Sequence, residues 1–192
     1  MAITFIEKPG DFPGTTDKID WKNFPNKIVK TPLGGGSGSN VGSSSGGLGF
    51  RIDNPSRSKL VRQGSTWEGN FSANETLVYT WRRVGPIMLV FDSLIRGVGA
   101  GIQEKFGTGD STGAPYTGII RIFGAAHNPL AMPGPNFGEI TTFSDDGTSH
   151  KPAFVGAFCD QPKIKFVEFD TRAVAAGDFD GDFAVGRVTI LT

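Results

Sequence analysis

Cysteine is nearly absent. The 192-residue chain has one, Cys159, so no internal disulfide can hold the fold. Long apolar runs are missing as well: no stretch approaches the roughly 20 residues of a membrane-spanning helix, and the opening MAITFIEKPG has neither the basic nor the apolar region of a signal peptide. Charge of one sign is also lacking. Nineteen Lys and Arg balance nineteen Asp and Glu, so no global field draws the chain to nucleic acid or to an anionic membrane surface, and neither is expected as a partner. The two histidines, His127 and His150, sit beside Asn128-Pro129 and Lys151-Pro152, with no second metal-type ligand at short helical spacing. Finally, no segment keeps a sustained helical period.

What is present is glycine, with 28 residues, and phenylalanine, with 16. FDSLIRGVGAGIQ (91–103), AFVGAF (153–158) and DFAVGRVTIL (182–191) are apolar runs interrupted by glycine, which marks strands where the backbone bends or another backbone comes close. Strands are expected at Gly49–Asp53, Thr76–Trp81, Pro86–Phe91, Val98–Gln103, Tyr116–Phe123, Glu139–Phe143, Ala153–Phe158, Lys163–Phe169 and Asp182–Leu191. Their short spacing, with Gly, Pro, Asn or Asp between them, favours antiparallel pairing over strand–helix–strand units. The expectation is all-β: a single antiparallel β-sandwich over 1–192, large enough to bury roughly 70% of its unfolded surface. The tract LGGGSGSNVGSSSGGLG, at about 33–49, reads as a flexible Gly/Ser-rich loop inside that domain.

Some faces are legible from alternation. Ile164 and Phe166 are expected inward between outward lysines, and Ala184, Gly186, Val188 and Ile190 are expected to share one face of the last strand. Ile87–Phe91 is apolar on both faces, which places it in the interior of a sheet.

Carboxylates cluster at Asp178, Asp180 and Asp182. Hard cations take six to eight oxygen ligands, so these three, with Asp17 or Asp20 as cross-strand partners, form the expected Ca2+ site. An EF-hand is excluded, because Phe183 stands where the loop needs glycine and a strand follows where a helix should. The bland alternative is a polar turn. Gly42-Ser-Ser44-Ser-Gly46 matches G-x-S-x-G but lies in a serine tract without the strand-to-helix turn that exposes a nucleophile, and it is discounted. Cys159 reads as a small hydrophobe at a strand end. Among Trp21, Trp67 and Trp81, Trp67 in QGSTWEGN is expected to be an exposed platform for sugar rings, with Glu68 and Asn70 beside it as hydrogen-bond partners and Trp81 as a further contact.

Several segments together resemble one family. Gly14-x-x-Asp17-x-x-Asp20-Trp21, Val61-x-Gln63-Gly64-Ser65-x-Trp67-x-Gly69-Asn70-Phe71, Gly97-Val98-Gly99-Ala100-x-Ile102-Gln103, Ala153-Phe-Val-Gly156-Ala157 and Asp182-Phe183-Ala184-Val185 are similar, in order and spacing, to secreted bacterial proteins of the PEP-CTERM (exosortase-sorted) kind and their cyanobacterial relatives. The resemblance implies a jelly-roll-like sandwich at the cell surface or outside the cell, with no catalytic residues to carry over. The chain departs from the pattern in ending at Ile190-Leu191-Thr192, without sorting motif, apolar segment or basic tail.

The function expected is a non-catalytic extracellular module that binds surface or matrix polysaccharide. Two alternatives stand beside it: a structural matrix or surface-layer protein that self-associates, and a jelly-roll polysaccharide hydrolase or lyase. The last lacks a recognisable acid/base pair, because Glu68, Glu104 and Glu139 are isolated in the sequence.

Overall fold

The computed structural model describes residues 2–24, 41–52, 58–67, 69–80, 86–105, 116–130, 139–144, 152–173 and 182–192. Among them are thirteen strands: β1 (Ile3–Ile6), β2 (Asp17–Ile19), β3 (Val41–Ser43), β4 (Gly49–Ile52), β5 (Ser58–Arg62), β6 (Thr76–Thr80), β7 (Ile87–Ile95), β8 (Gly97–Lys105), β9 (Tyr116–Phe123), β10 (Glu139–Ser144), β11 (Ala153–Cys159), β12 (Ile164–Ala173) and β13 (Asp182–Leu191). They form two antiparallel sheets. The seven-stranded sheet runs β1-β11-β8-β13-β6-β5, with β2 also on β13, and the six-stranded sheet runs β10-β9-β12-β7-β4-β3.

Within these, β6-β13-β8-β11 face β7-β12-β9-β10, and from β6 onward the chain crosses between the sheets in the order that defines an eight-stranded jelly roll. The expected all-β sandwich is therefore the observed one. The crossing from β7 to β8 takes a single residue, Arg96, whose N–H donates to Leu191 O at 2.8 Å and whose carbonyl accepts from Cys159 N at 2.7 Å. The closely spaced glycines after Ile95 are the sequence mark of that bend.

One cluster of buried side chains fills the space between the sheets, with Phe91, Ile120, Val167, Phe169, Val185 and Val188 among its members. β7 lies between β12 and β4, the interior position that its two apolar faces imply. Trp21 is fully buried against Phe24 and Phe50, edge to face at 6.2 and 6.0 Å.

Two bulges correct the face assignments. The register of β12 on β7 shifts between Ile164 and Phe166, so Val167 and Phe169 turn inward while Phe166 stays half-buried. In β13 the register shifts between Val185 and Val188. Phe183 and Val185 then share the core face with Val188 and Ile190, while Ala184 packs on the outer side with Trp67. One extra residue reverses every side chain beyond it.

Part of the Gly/Ser tract is also corrected, since residues 41–49 form the β3–β4 hairpin rather than a loose loop; residues 33–40 lie outside the described residues. Asp17 clasps this hairpin, accepting from Ser45 Oγ at 2.6 Å and Gly46 N at 2.7 Å, and from Ser44 Oγ.

The outer face of the seven-stranded sheet is paved with glycine. Gly99 of β8 stands directly opposite Gly156 of β11, and a Cβ on Gly99 would come within 2.8 Å of Gly156 Cα and 2.9 Å of Val155 O. Backbone cannot yield there as a flexible side chain can. Gly99→Ala should therefore lower the stability measured by urea unfolding by about 1–3 kcal/mol, whereas Gly10→Ala, with nothing within 4 Å, should stay within about 0.5 kcal/mol of the wild type.

Candidate functional site

The site is built on a defect in β13. Its bulge leaves backbone groups of Gly186 and Arg187 outside the regular ladder, and buried backbone groups need partners. Two distant side chains supply them: Trp21 Nε1 donates to Gly186 O at 2.7 Å, and Glu75 Oε1 accepts from Arg187 N at 2.8 Å. At the same point the edge of β13 passes from β6, paired at Ala184 and Val185, to β2, paired at Val188–Ile190. Arg187 is swung outward and reaches Asp20 Oδ2 at 3.2 Å.

Beside the bulge lies an open groove of about 500 Å³ on the outer face of the seven-stranded sheet. Its floor is the backbone at Gly101 and Gly186, and its walls are Phe71 and Phe154 with Pro9 and Pro152. Phe71 Cε1 stands 2.8 Å from where a Gly186 Cβ would be, and Phe154 lies over Gly99 and Gly156 in the same way. Asn70, Glu75, Lys18, Arg187 and Thr189 form the polar rim.

The β5–β6 connection presents Phe71. Gln63 N donates to Glu75 O at 2.9 Å to close the loop, Gly64 takes a left-handed φ of 78°, and Asn70 N donates to the buried Gln103 Oε1 at 2.7 Å. Trp67 is the plug of this loop. It is only 2% exposed and packs against Tyr79 with ring centroids 5.3 Å apart, in a cluster with Val61, Leu77 and Ala184.

The expectation of an exposed Trp67 platform is therefore corrected. Gly64, Ser65, Thr66 and Asn70 are exposed while the indole is buried beneath them. Asn70 does stand on the groove rim, and Glu68 and Trp81 lie outside the described residues. The aromatics that line the groove, Phe71 and Phe154, were not singled out in the sequence. The available signal was a lone Phe four residues after Trp67 in an otherwise polar stretch.

The expected cross-strand partners do not stand beside Asp182. Asp182 accepts from the Tyr79 hydroxyl at the start of β13, and burial together with that carboxylate pushes the Tyr79 phenol well above its ordinary value. Asp17 pairs in register with Ile190, eight residues along, roughly 25 Å away at strand rise. Asp20 follows Ile19, the partner of Val188, and lies roughly 15 Å from Asp182 by the same measure. Neither is a cross-strand ligand to Asp182. Asp178 and Asp180 lie outside the described residues.

The serine of the G-x-S-x-G match is structural, since Ser44 Oγ donates to Asp17 and accepts from Leu48 N at 3.0 Å. Cys159 is buried, as expected of a small hydrophobe, and burial with the nearby Asp160 charge pushes its thiol up. His127 is exposed and stacks on Phe123 at 4.9 Å; His150 lies outside the described residues. Of the isolated glutamates, Glu104 is buried on the inner side of β8 and Glu139 begins β10. No model of a known protein family matches the chain, and a search among curated proteins finds none that matches it.

Trp67→Ala should cost about 3–5 kcal/mol of stability, as removal of a fully buried aromatic does, measured by chemical unfolding. A loss below about 1 kcal/mol would restore the exposed-platform reading. Acid provides a second test. Burial pushes the Asp17 carboxyl up, but hydrogen bonds from Ser44, Ser45, Lys18 and Gly46 outweigh it and hold the group below its ordinary value of 3.8. A depressed folded-state value stabilises the fold above the unfolded value and ceases to do so as pH falls through the folded one. Thermal melts should show stability falling below about pH 4, and Asp17→Asn should be less stable at neutral pH and flatter in acid. Equal acid slopes for the two proteins would mean that Asp17 holds nothing.

Proposed function

We propose that the chain is a non-catalytic module that binds polysaccharide, holding the sugar chain along the outer face of the seven-stranded sheet. The groove between Phe71 and Phe154 is the observation that supports this reading most. Phenyl rings offer apolar faces to the C–H side of a sugar ring. Between the two rings the groove is wide enough for a flat sugar ring, with Phe71 closing over Gly186 on one side, and Asn70, Glu75 and Thr189 offer partners to its hydroxyls. A cleft with apolar walls and a few placed polar groups is the usual form of such a site. The jelly-roll scaffold is used by lectins and by shell-forming proteins alike, so the fold supports the class only by analogy and the groove carries the argument. A location at the cell surface or outside the cell belongs to the same proposal.

The test is retention on immobilised polysaccharides, acidic and neutral, after each protein is shown to be folded. A wall ring at the centre of a contact typically contributes about 2 kcal/mol, so Phe71→Ala should lose roughly thirtyfold in affinity. Phe71→Leu keeps the apolar packing but removes the ring, and it should lose most of the same binding while melting like the wild type. Full retention by both variants would overturn the groove as the site. A wild type retained on no polysaccharide would overturn the reading itself in favour of the self-associating one, whose structural mark is Phe5, 39% exposed on the edge strand β1.

A further inference from the structure

We infer that the polysaccharide is a uronate-bearing one, recognised through Lys18 where the aromatic groove meets a second hollow. This rests on the polysaccharide-binding reading and names the class of chain within it. The second hollow, of about 470 Å³, is walled by Lys22, Asn23 and the serines of the β3–β4 turn, and Lys18 and Arg187 line both spaces. A chain running from one to the other must pass these two cations.

Their charges are unequally answered. Arg187 Nη2 and Lys22 Nζ each lie 3.2 Å from Asp20 Oδ2, so two cations share one carboxylate. Glu75 is engaged by the backbone amides of Arg187 and Ser72, and Asp17 is turned onto Ser44, Ser45 and Gly46. The Lys18 side chain is exposed and has no ion pair or hydrogen bond among the described residues. Among the described residues it is thus the one rim cation left to a ligand, in a chain whose overall charge is balanced.

A neutral sugar passing this point would take water from the ammonium without replacing it by a charge. A carboxylate replaces it with a charge-assisted hydrogen bond, the same kind of contact that Asp20 already makes to Arg187 and Lys22. Because the site is open to solvent, the gain is modest and screened by salt.

The matched probes are oligogalacturonates and the same oligomers with their carboxyl groups reduced to alcohols, titrated calorimetrically at low and high salt. The wild type should prefer the carboxylated oligomers, with the preference shrinking at high salt. Lys18→Gln should lose roughly fivefold on them and nothing on the reduced ones, while Lys163→Gln, at an exposed lysine outside both hollows, should bind like the wild type. Equal binding of the two oligomers by the wild type, or an equal Lys18→Gln loss on both, would overturn the inference and leave the polysaccharide reading standing. Binding of neither would overturn the inference, and the polysaccharide reading would then be decided by the retention test on the wider set of acidic and neutral polysaccharides.

Discussion

The bulge at Gly186–Arg187 is the constraint on which the rest of the outer face depends. A regular β13 would carry one partner strand along its whole edge and keep its parity from Asp182 to Leu191. With the extra residue, the strand can pair β6 over its first half and β2 over its second, and both halves still face the core with branched aliphatic side chains. The disrupted backbone would cost about 1–3 kcal/mol for each buried group left without a partner. Trp21 removes that cost for the buried Gly186 carbonyl from the core side, and Glu75 takes up the exposed Arg187 amide from the surface. The Trp21 indole thereby serves two ends at once, filling the core against Phe24 and Phe50 and fixing the strand that carries the groove floor.

Glycine contributes the other half of the design. Each glycine inside a strand weakens it by roughly 0.5–1 kcal/mol relative to alanine through lost backbone entropy. Here the loss is offset because the missing Cβ atoms let phenyl rings lie directly on the sheet. Phe154 covers Gly99 and Gly156, Phe12 and Phe158 close on Gly97, and Phe12 meets Phe154 edge to face at 6.4 Å. At Gly101 the cover is looser, with Pro152 and Phe71 standing 3.5 and 3.6 Å from where a Cβ would be, and the groove lies beside it. Packing and recess are consequences of one composition, read at neighbouring positions.

Much of this was legible in the sequence, and its limits are physical. The long strands β7, β8, β9 and β13 announce themselves by apolar, β-branched runs, and β9 and β13 have the expected bounds. The short strands β1, β2, β3 and β5 do not, because three to five residues carry too little alternation and such strands form on an edge that another strand supplies. Bulges defeat parity arguments for the same reason: the alternation holds on each side, but the sequence does not say where the extra residue falls. Glycine in mid-strand was the right warning in β13, yet it could not say which face would turn. The sequence pointed to the loop that borders the groove but to the wrong ring on it, since Trp67 is buried and Phe71 lines the groove. Polar neighbours report that a segment is at the surface; they do not report which of its aromatics turns down to hold it there. The aspartates were grouped by sequence proximity and residue type, whereas the register separates Asp17 and Asp20 from Asp182 along a single strand.

Polysaccharide is proposed to lie on the outer face of the seven-stranded sheet, between Phe71 and Phe154. Backbone amide chemical shifts recorded during titration with an oligosaccharide test it most directly, because they report position without any substitution. The account predicts that the amides of Asn70, Gly101, Phe154, Gly186 and Arg187 move together and saturate together, while those of Arg121 and Glu168 on the opposite sheet stay in place. Shifts concentrated on β9 and β12, with the outer face of the seven-stranded sheet unmoved at saturation, would contradict it.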